Sequence, residues 1–530
     1  MLTFAKRAFG STAVAVLLAF TPAAVGAQPA PAPTTTLTAV LEAEIATLDP
    51  HFTSAYITRT FGYAVFDTLF AMDSKGEIKP QMVQDYTVSE DRLTWTFNLR
   101  EGLAWHDGTP VTAADCVASI RRWGPKAALG RLLTAATASI DATGPRTFVI
   151  KLKEPFGLVL DALGRPNAPV PFMLPERLAR TPGEQRIPEV IGSGPFKFRP
   201  DLHRPGDVLV VERNAQYAPR AEPADFLAGG KVPRVGRVAF RTMPDGSTAT
   251  SALQTGEIDF LQYVPFDLLP MLERNRRVTV VPFDGMQSFQ GYFRINSANK
   301  PFDDPEIRRV LWRLIDQTSV LNGLGLPDRY MRPGCRSFFM CGTPYETTVG
   351  GEMGENPSVE AAREALKRTK YAGEPIIVLQ ATDIDAPRVS SAVVADLLRR
   401  AGFNVELQAM DWGTVLARRA KRDGWHMFGV HASGFDLASP RTHFYVSNNC
   451  IDYAGWHCDP RLTELLAAFA KAPTEPERKR LAGEISKVAY EIVPAVMWGQ
   501  LAQPAAHRNE LVNIVPSAIP VFWNVEKRTN

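Results

Sequence analysis

Residues 375–432 read PIIVLQATDIDAPRVSSAVVADLLRRAGFNVELQAMDWGTVLARRAKRDGWHMFGVHA. Three short apolar segments, PIIVLQ (375–380), NVELQAM (404–410) and HMFGVHA (426–432), alternate with helical patterns over 388–401 and 412–422. A further helical pattern over 358–369 leads into the first segment. Strands and helices in alternation predict parallel β-α-β units whose helices cover the sheet. Ligands of open parallel sheets sit beyond the carboxyl ends of the strands. Those ends here carry Thr382 and Asp383, then Asp411 and Trp412, then Ser433 to Asp436. Carboxylates with aromatics suit a cationic or amphipathic small molecule, through charge pairing and flat apolar walls. A loop cap or surface salt bridge competes for Asp436, and core packing competes for Trp412.

Upstream, Asp304-Pro305 opens a helix with Ile307, Leu311, Leu314 and Ile315 on one face, Asp at the cap and Pro at the first helical position. The second α/β lobe is therefore expected over 291–500. Residues 37–290 read as a mixed α+β first lobe. In it Leu37 to Ala43 is a strand and LTWTFNL (93–99) alternates with period two. A turn at His106-Asp107-Gly108 follows, then a helix opened by Thr112 with Asp115 three residues on, a capping-box pattern. The closing stretch, Leu501 to Asn530, is too short to fold alone and is expected to complete the first lobe. The two lobes would then be joined by two crossings, the arrangement a hinge uses.

The chain has 530 residues, 45% hydrophobic and 22% charged, which excludes a disordered, collagen-like or multi-span membrane protein. A formal net charge of +3 provides no strong field for nucleic acid or acidic lipid. Lys6 and Arg7, the apolar run Ala13 to Phe20 and the small residues Val25-Gly26-Ala27 predict a signal peptide over 1–27, cleaved after Ala27. A Pro/Ala/Thr tether over 28–36 would follow. The first cysteine is Cys116, far from that cut, so a lipid-anchored mature end is not expected. Export predicts two small disulfide loops, Cys335 with Cys341 and Cys450 with Cys458, each stabilising by about 2–3 kcal/mol. Cys116, in the apolar stretch AADCVASI, reads as a buried thiol.

Phosphate-binding glycine loops, dinucleotide fingerprints, H-E-x-x-H and G-x-S-x-G motifs are absent from the sequence. The eight histidines are scattered, and the cysteine spacings are not those of zinc knuckles. No catalysis, metal or cofactor is expected, although catalytic triads need not be local in sequence. The basic clusters Arg274 to Arg277 and Arg418 to Arg422 read as solvated faces, so a nucleic-acid groove is not expected.

Five motifs occur in one order: ATLDPH (46–51), LTWTFNLREGLAWHDGTPVTAADC (93–116), GSGPFKF (192–198), LQTGEIDF (253–260) and RINSANKPFDDPEIRRVLWRLIDQ (294–317). Together they resemble the extracellular solute-binding proteins of family 5, the dipeptide-, oligopeptide- and nickel-binding receptors of ABC importers. The resemblance implies a bilobal, periplasmic-binding-protein type II-like α/β fold with a hinge and an extra subdomain, about 69–185, in the first lobe. It implies a monomeric periplasmic receptor that binds a solute between its lobes and delivers it to permease subunits in the inner membrane.

The family's ligand-facing residues after the LDPH segment correspond to Ser54, Ala55 and Tyr56. Its peptide binders carry an Asp in W-x-x-D-x-x-D-P that pairs with the peptide's amino terminus, and counting back from Pro440 places it on Asp436. The Trp of that pattern is Ser433 here and the second Asp is Ser439, so an opine-like amino compound stands beside a peptide as the implied solute. Nickel-binding relatives place a His directly after the Pro, where this chain has Arg441, with His443 two further on. The solute is expected against Tyr56, Trp412, Phe435 and Trp498, with Asp383 nearby and Asp436 on its cationic group. A secreted hydrolase and a chemosensory receptor remain the alternatives on the same fold.

Overall fold

A computed structural model describes residues 2–3, 35–382 and 384–528. Most of the expected signal peptide and of the tether, and Asp383, lie outside the described residues.

The segments quoted at the outset form one side of a six-stranded sheet. Its order is Met331–Arg332, Ala495–Leu501, Phe289–Ile295, Met427–Ser433, Pro375–Ala381 and Asn404–Met410. Pro375–Ala381 runs parallel to both Asn404–Met410 and Met427–Ser433, as the alternation requires. The other half is antiparallel, because Phe289–Ile295 and Ala495–Leu501 arrive from outside the β-α-β run. The helix Asp385–Ala401 covers the sheet with Val394, Ala395 and Leu398 fully buried. It ends at Gly402 in the left-handed conformation, with Arg399 and Arg400 in its last turn against the helix dipole. Asp304 caps the helix Pro305–Leu314 by accepting from the Glu306 amide at 2.8 Å.

A second large sheet has seven strands, in the order Val278–Val281, Ala505–Arg508, Phe260–Leu261, Thr36–Val40, Arg237–Arg241, Val208–Arg213 and Phe196–Phe198. The chain passes from this sheet to the six-stranded one over 282–288 and returns over 502–504. A third, antiparallel sheet joins Val83–Val88, Thr94–Leu99, Thr147–Leu152 and Thr137–Ala142. In Thr94–Leu99 the period-two pattern buries Trp95, Phe97 and Leu99.

Two of the motifs turn out to be structural joints. The Thr112 hydroxyl and the Asp115 carboxylate cap each other's amides, and Asp115 also accepts from the Glu176 amide at 2.6 Å. Asp49 of the ATLDPH motif receives both terminal nitrogens of Arg122, at 3.0 and 2.7 Å, with the two side chains only 1% and 3% exposed. Both expected disulfides are formed, and Cys116 is a buried free thiol.

Burial holds five histidines well below the ordinary imidazole value: His51 and His443 at about 3, His106 and His431 at about 4, and His457 likewise lowered. Each is neutral in the fold and must take a proton on unfolding in acid. Their contribution to stability is complete above the unfolded value of 6.5 and is lost as pH falls from there towards 3 to 4. The melting temperature is therefore expected to decline through this window, well before the Asp49 pair titrates. A melting temperature that stays flat down to about pH 4 contradicts this.

Candidate ligand-binding site

A cavity of about 1060 Å³ lies between residues from both sides of the two chain crossings. Ser54, Ala55, Tyr56, Arg165 and Asn167 come from the chain before the first crossing, and Arg294, Trp412, Arg419, Asp436, Tyr445 and Tyr453 from the chain between the two crossings. Its size is at the upper end of ordinary small-molecule sites.

Asp436 is the point where the two sides meet. It lies in the short helix Gly434–Leu437, directly beyond the carboxyl end of Met427–Ser433, and is 9% exposed. Tyr56, the first residue of the helix Tyr56–Val65, donates its hydroxyl to Asp436 Oδ2. Asn167 Nδ2 donates to Asp436 Oδ1 and to the Phe435 carbonyl, both at 2.8 Å. Burial first, and the Asp436 charge second, push the Tyr56 hydroxyl well above its usual value, so it stays a donor. The Arg59 guanidinium stacks over the Tyr56 ring at 4.4 Å. Glu42, a second carboxylate in the wall, is pushed up by burial, partly offset by its hydrogen bond with Tyr263.

Trp412 begins the helix Trp412–Arg419 and lines the cavity, with its ring 6.4 Å from Phe428. Asp411 serves as that helix's cap, accepting from the Thr414 amide at 2.9 Å. Three of the sequence-predicted residues do not line the cavity. Trp498 is fully buried in its strand, packed on Gly291, where an added Cβ would lie 2.0 Å from the indole. Phe435 is 1% exposed and stacks on Phe226 at 5.5 Å. Ser433 is buried at a strand end opposite Phe289. All three are buried in packing, which a linear pattern does not reveal for a strand buried at every position or for a one-turn helix.

Sequence reasoning missed Asn167, Arg294, Arg419, Tyr445 and Tyr453. For Arg294 a signal existed: it is a lone charge in FQGYFRI (289–295), a strand buried at every position. Arg419 was hidden inside a basic cluster that reads as a solvated helical face. Among the described residues no group of three or more His, Cys, Asp or Glu is placed to hold a metal ion.

Residues 77–453 match the family described as bacterial extracellular solute-binding proteins, family 5 (middle region). The chain belongs to this family. It is 39% identical over 516 residues, 96% of each chain, to the probable peptide ABC transporter periplasmic-binding protein y4tO of Sinorhizobium fredii. Two solved structures share its fold. AgaA of Agrobacterium tumefaciens R10, in complex with agropinic acid, superposes with a TM-score of 0.76 at 20% identity, over 94% of this chain and 99% of that one. DppA of Helicobacter pylori, in complex with the peptide STSA, gives 0.77 at 18% identity, over 93% and 98%. The protein is a solute receptor of an ABC importer with the type II periplasmic-binding-protein fold. Its family works in the periplasm or outside the cell, and these relatives are binding proteins.

Proposed function

We propose that this receptor captures a peptide or a peptide-like, opine-like amino compound between two lobes and hands it unchanged to permease subunits of the inner membrane. The observation that carries this reading is the Asp436 carboxylate. It lies in the cavity wall beside groups from the opposite side, and a carboxylate offers about four acceptor positions. Tyr56 and Asn167 use two of them, which leaves room for an ammonium group of the solute. Tyr56 and Trp412 supply flat apolar walls beside it, and Ser54 and Ala55 supply backbone at the same rim. The ligands of the two similar structures, agropinic acid and a peptide, agree with an amino compound of this size.

In this reading the first lobe comprises 37–290, with a subdomain over about 69–185, and is completed by 501–530; the second comprises 291–500. The crossings at 282–288 and 502–504 act as the hinge, and the exported, monomeric chain starts after Ala27. Closure around the solute then presents the permease with a surface the open form lacks. Native mass spectrometry of freshly purified protein identifies the co-purifying solute. Small-angle scattering with and without that solute at saturation should show a smaller radius of gyration when it is bound. Superimposable profiles exclude closure, and turnover of a peptide or ester panel would replace the receptor reading by an enzymatic one.

A further inference from the structure

The two disulfides of this chain sit in opposite settings. Cys335 and Cys341 are 3% and 5% exposed, sealed in packing. Cys450 and Cys458 are both exposed. Their bond closes the loop CIDYAGWHC (450–458), and Ile451, Tyr453 and Ala454 of that loop form part of the cavity wall. Ile451 is a large apolar side chain left 50% exposed there.

The backbone of this loop is one that a free chain avoids. Cys450 and Trp456 stand at φ +58° and +43°, and Gly455 at +108°. The left-handed region is uncommon for L side chains such as Cys and Trp, and residues persist in it where their surroundings over-determine them. The Cys450 amide donates to the His457 carbonyl at 3.1 Å, alongside the disulfide. The loop is tied to the strand Phe289–Ile295 and the residues after it by Arg294 Nε, which donates to the Ala454 carbonyl at 2.7 Å, and by the Ser297 amide, which donates to the Gly455 carbonyl at 2.9 Å. Just outside the disulfide, Asn449 Nδ2 donates to the Asp459 carbonyl at 2.7 Å and the Asp459 amide to Asn449 Oδ1 at 3.0 Å. The base of the loop therefore stays fastened if the disulfide opens. The segment set free is the one that lines the cavity.

We propose that the Cys450–Cys458 disulfide is a redox switch on solute binding: a dithiol reduces it, the loop 450–458 loosens, and the cavity loses part of its wall. This rests on the reading of the cavity as the solute site. A thiolate of the dithiol attacks one sulfur of the bond to give a mixed disulfide, and its second thiol then displaces the remaining cysteine. Both cysteines end as thiols. Two electrons and two protons pass to them from the dithiol, which leaves as a disulfide. Attack needs access to a sulfur, which the exposed pair gives and the buried pair denies. Once reduced, Cys450 and Trp456 are free to return to negative φ, and Ile451 and Tyr453 move with them. Solute binding must then order the loop again, which lowers affinity. The family works in the periplasm or outside the cell, where disulfides persist, so the oxidised, binding form is the resting one.

Two measurements test this. In the first, the native protein is treated with increasing dithiothreitol, trapped with iodoacetamide and mapped by mass spectrometry. Cys450 and Cys458 should be alkylated at concentrations about tenfold lower than Cys335 and Cys341. Equal opening of the two pairs, or no opening short of unfolding, overturns the switch. In the second, the protein stripped of co-purifying solute is compared oxidised and reduced at the concentration that opens only the exposed pair. Amide hydrogen exchange should quicken over 442–458 and along 289–297, and stay unchanged elsewhere. Retention of a random di- to tetrapeptide mixture, read by native mass spectrometry, should fall about tenfold and return on reoxidation with oxidised glutathione. The double variant Cys450→Ser, Cys458→Ser should match the reduced wild type and ignore dithiothreitol. Retention that is unchanged by reduction, or a double variant that behaves like the oxidised protein, overturns the switch. If the oxidised protein retains no peptide, the peptide-like class is wrong and exchange alone decides: faster exchange over 442–458 upholds the switch, and unchanged exchange overturns it.

Discussion

Replacing Asp436 by alanine is expected to weaken solute binding by about 30- to 150-fold, the loss of a charge-assisted hydrogen bond worth roughly 2–3 kcal/mol. The structure adds a complication that decides the choice of control. Asp436 also accepts from the Tyr56 hydroxyl and from Asn167 Nδ2, so alanine strips two donors of the opposite wall of their acceptor at the same time. Asp436→Asn separates the roles. Its amide oxygen can still accept from the opposite wall, while the negative charge is gone. If Asp436 binds the solute's cation, asparagine should bind nearly as weakly as alanine. Calorimetry with the co-purified solute is the measurement, and wild-type affinity in the asparagine variant would reduce Asp436 to a bridge between the lobes.

The largest effect on stability is expected at Arg122. Its guanidinium and the Asp49 carboxylate are almost completely buried and share two hydrogen bonds. Taking such a pair out of water contributes little net stability, but removing one partner strands the other charge, at about 3–5 kcal/mol. Arg122→Ala should cost that much in denaturant unfolding at neutral pH. Burial pushes the Asp49 carboxyl up, while Arg122 and the Ile187 and His51 amides together hold it below its usual value. In the wild type the stability of this pair is present above the unfolded value of 3.8 and is lost as pH falls through the lower folded one. Without Arg122 the burial effect prevails, Asp49 binds a proton more readily, and the cost of the substitution should shrink as pH falls. A cost that does not change between about pH 8 and pH 5 would mean that Asp49 is not the group left stranded.

The parts of this fold that were legible in the sequence are those set by neighbours along the chain. The parallel pairing of Pro375–Ala381 with Asn404–Met410 followed from a strand, a helix and a strand of suitable length. The helix starts at Thr112 and Asp304 followed from side chains that reach amides two or three residues on. The two disulfides followed from cysteines six and eight positions apart. The antiparallel half of the six-stranded sheet was not legible, because its strands come from positions 289–295 and 495–501, some two hundred residues apart.

The site divides in the same way. Tyr56, Trp412 and Asp436 line the cavity because helix starts and strand ends point there, and both are visible in a linear pattern. Trp498 and Phe435 have the chemistry of a binding wall, but both are sealed in packing. Asn167 has no local mark of function, and Arg294 only that of a lone charge in an apolar strand; the meaning of both depends on their partners in space.

By itself, then, the sequence determined the elements, their caps, the disulfide loops and the family, since each depends on contacts a few residues long or on the order of motifs. Only the tertiary structure decided which polar groups are satisfied. Asp436 finds Tyr56 about 380 residues away, whereas the terminal nitrogens of Arg294 find no hydrogen-bond partner among the described residues. Whether a buried charge is a strut or a binding group is settled by burial and by every neighbour at once, and those are properties of the packed chain.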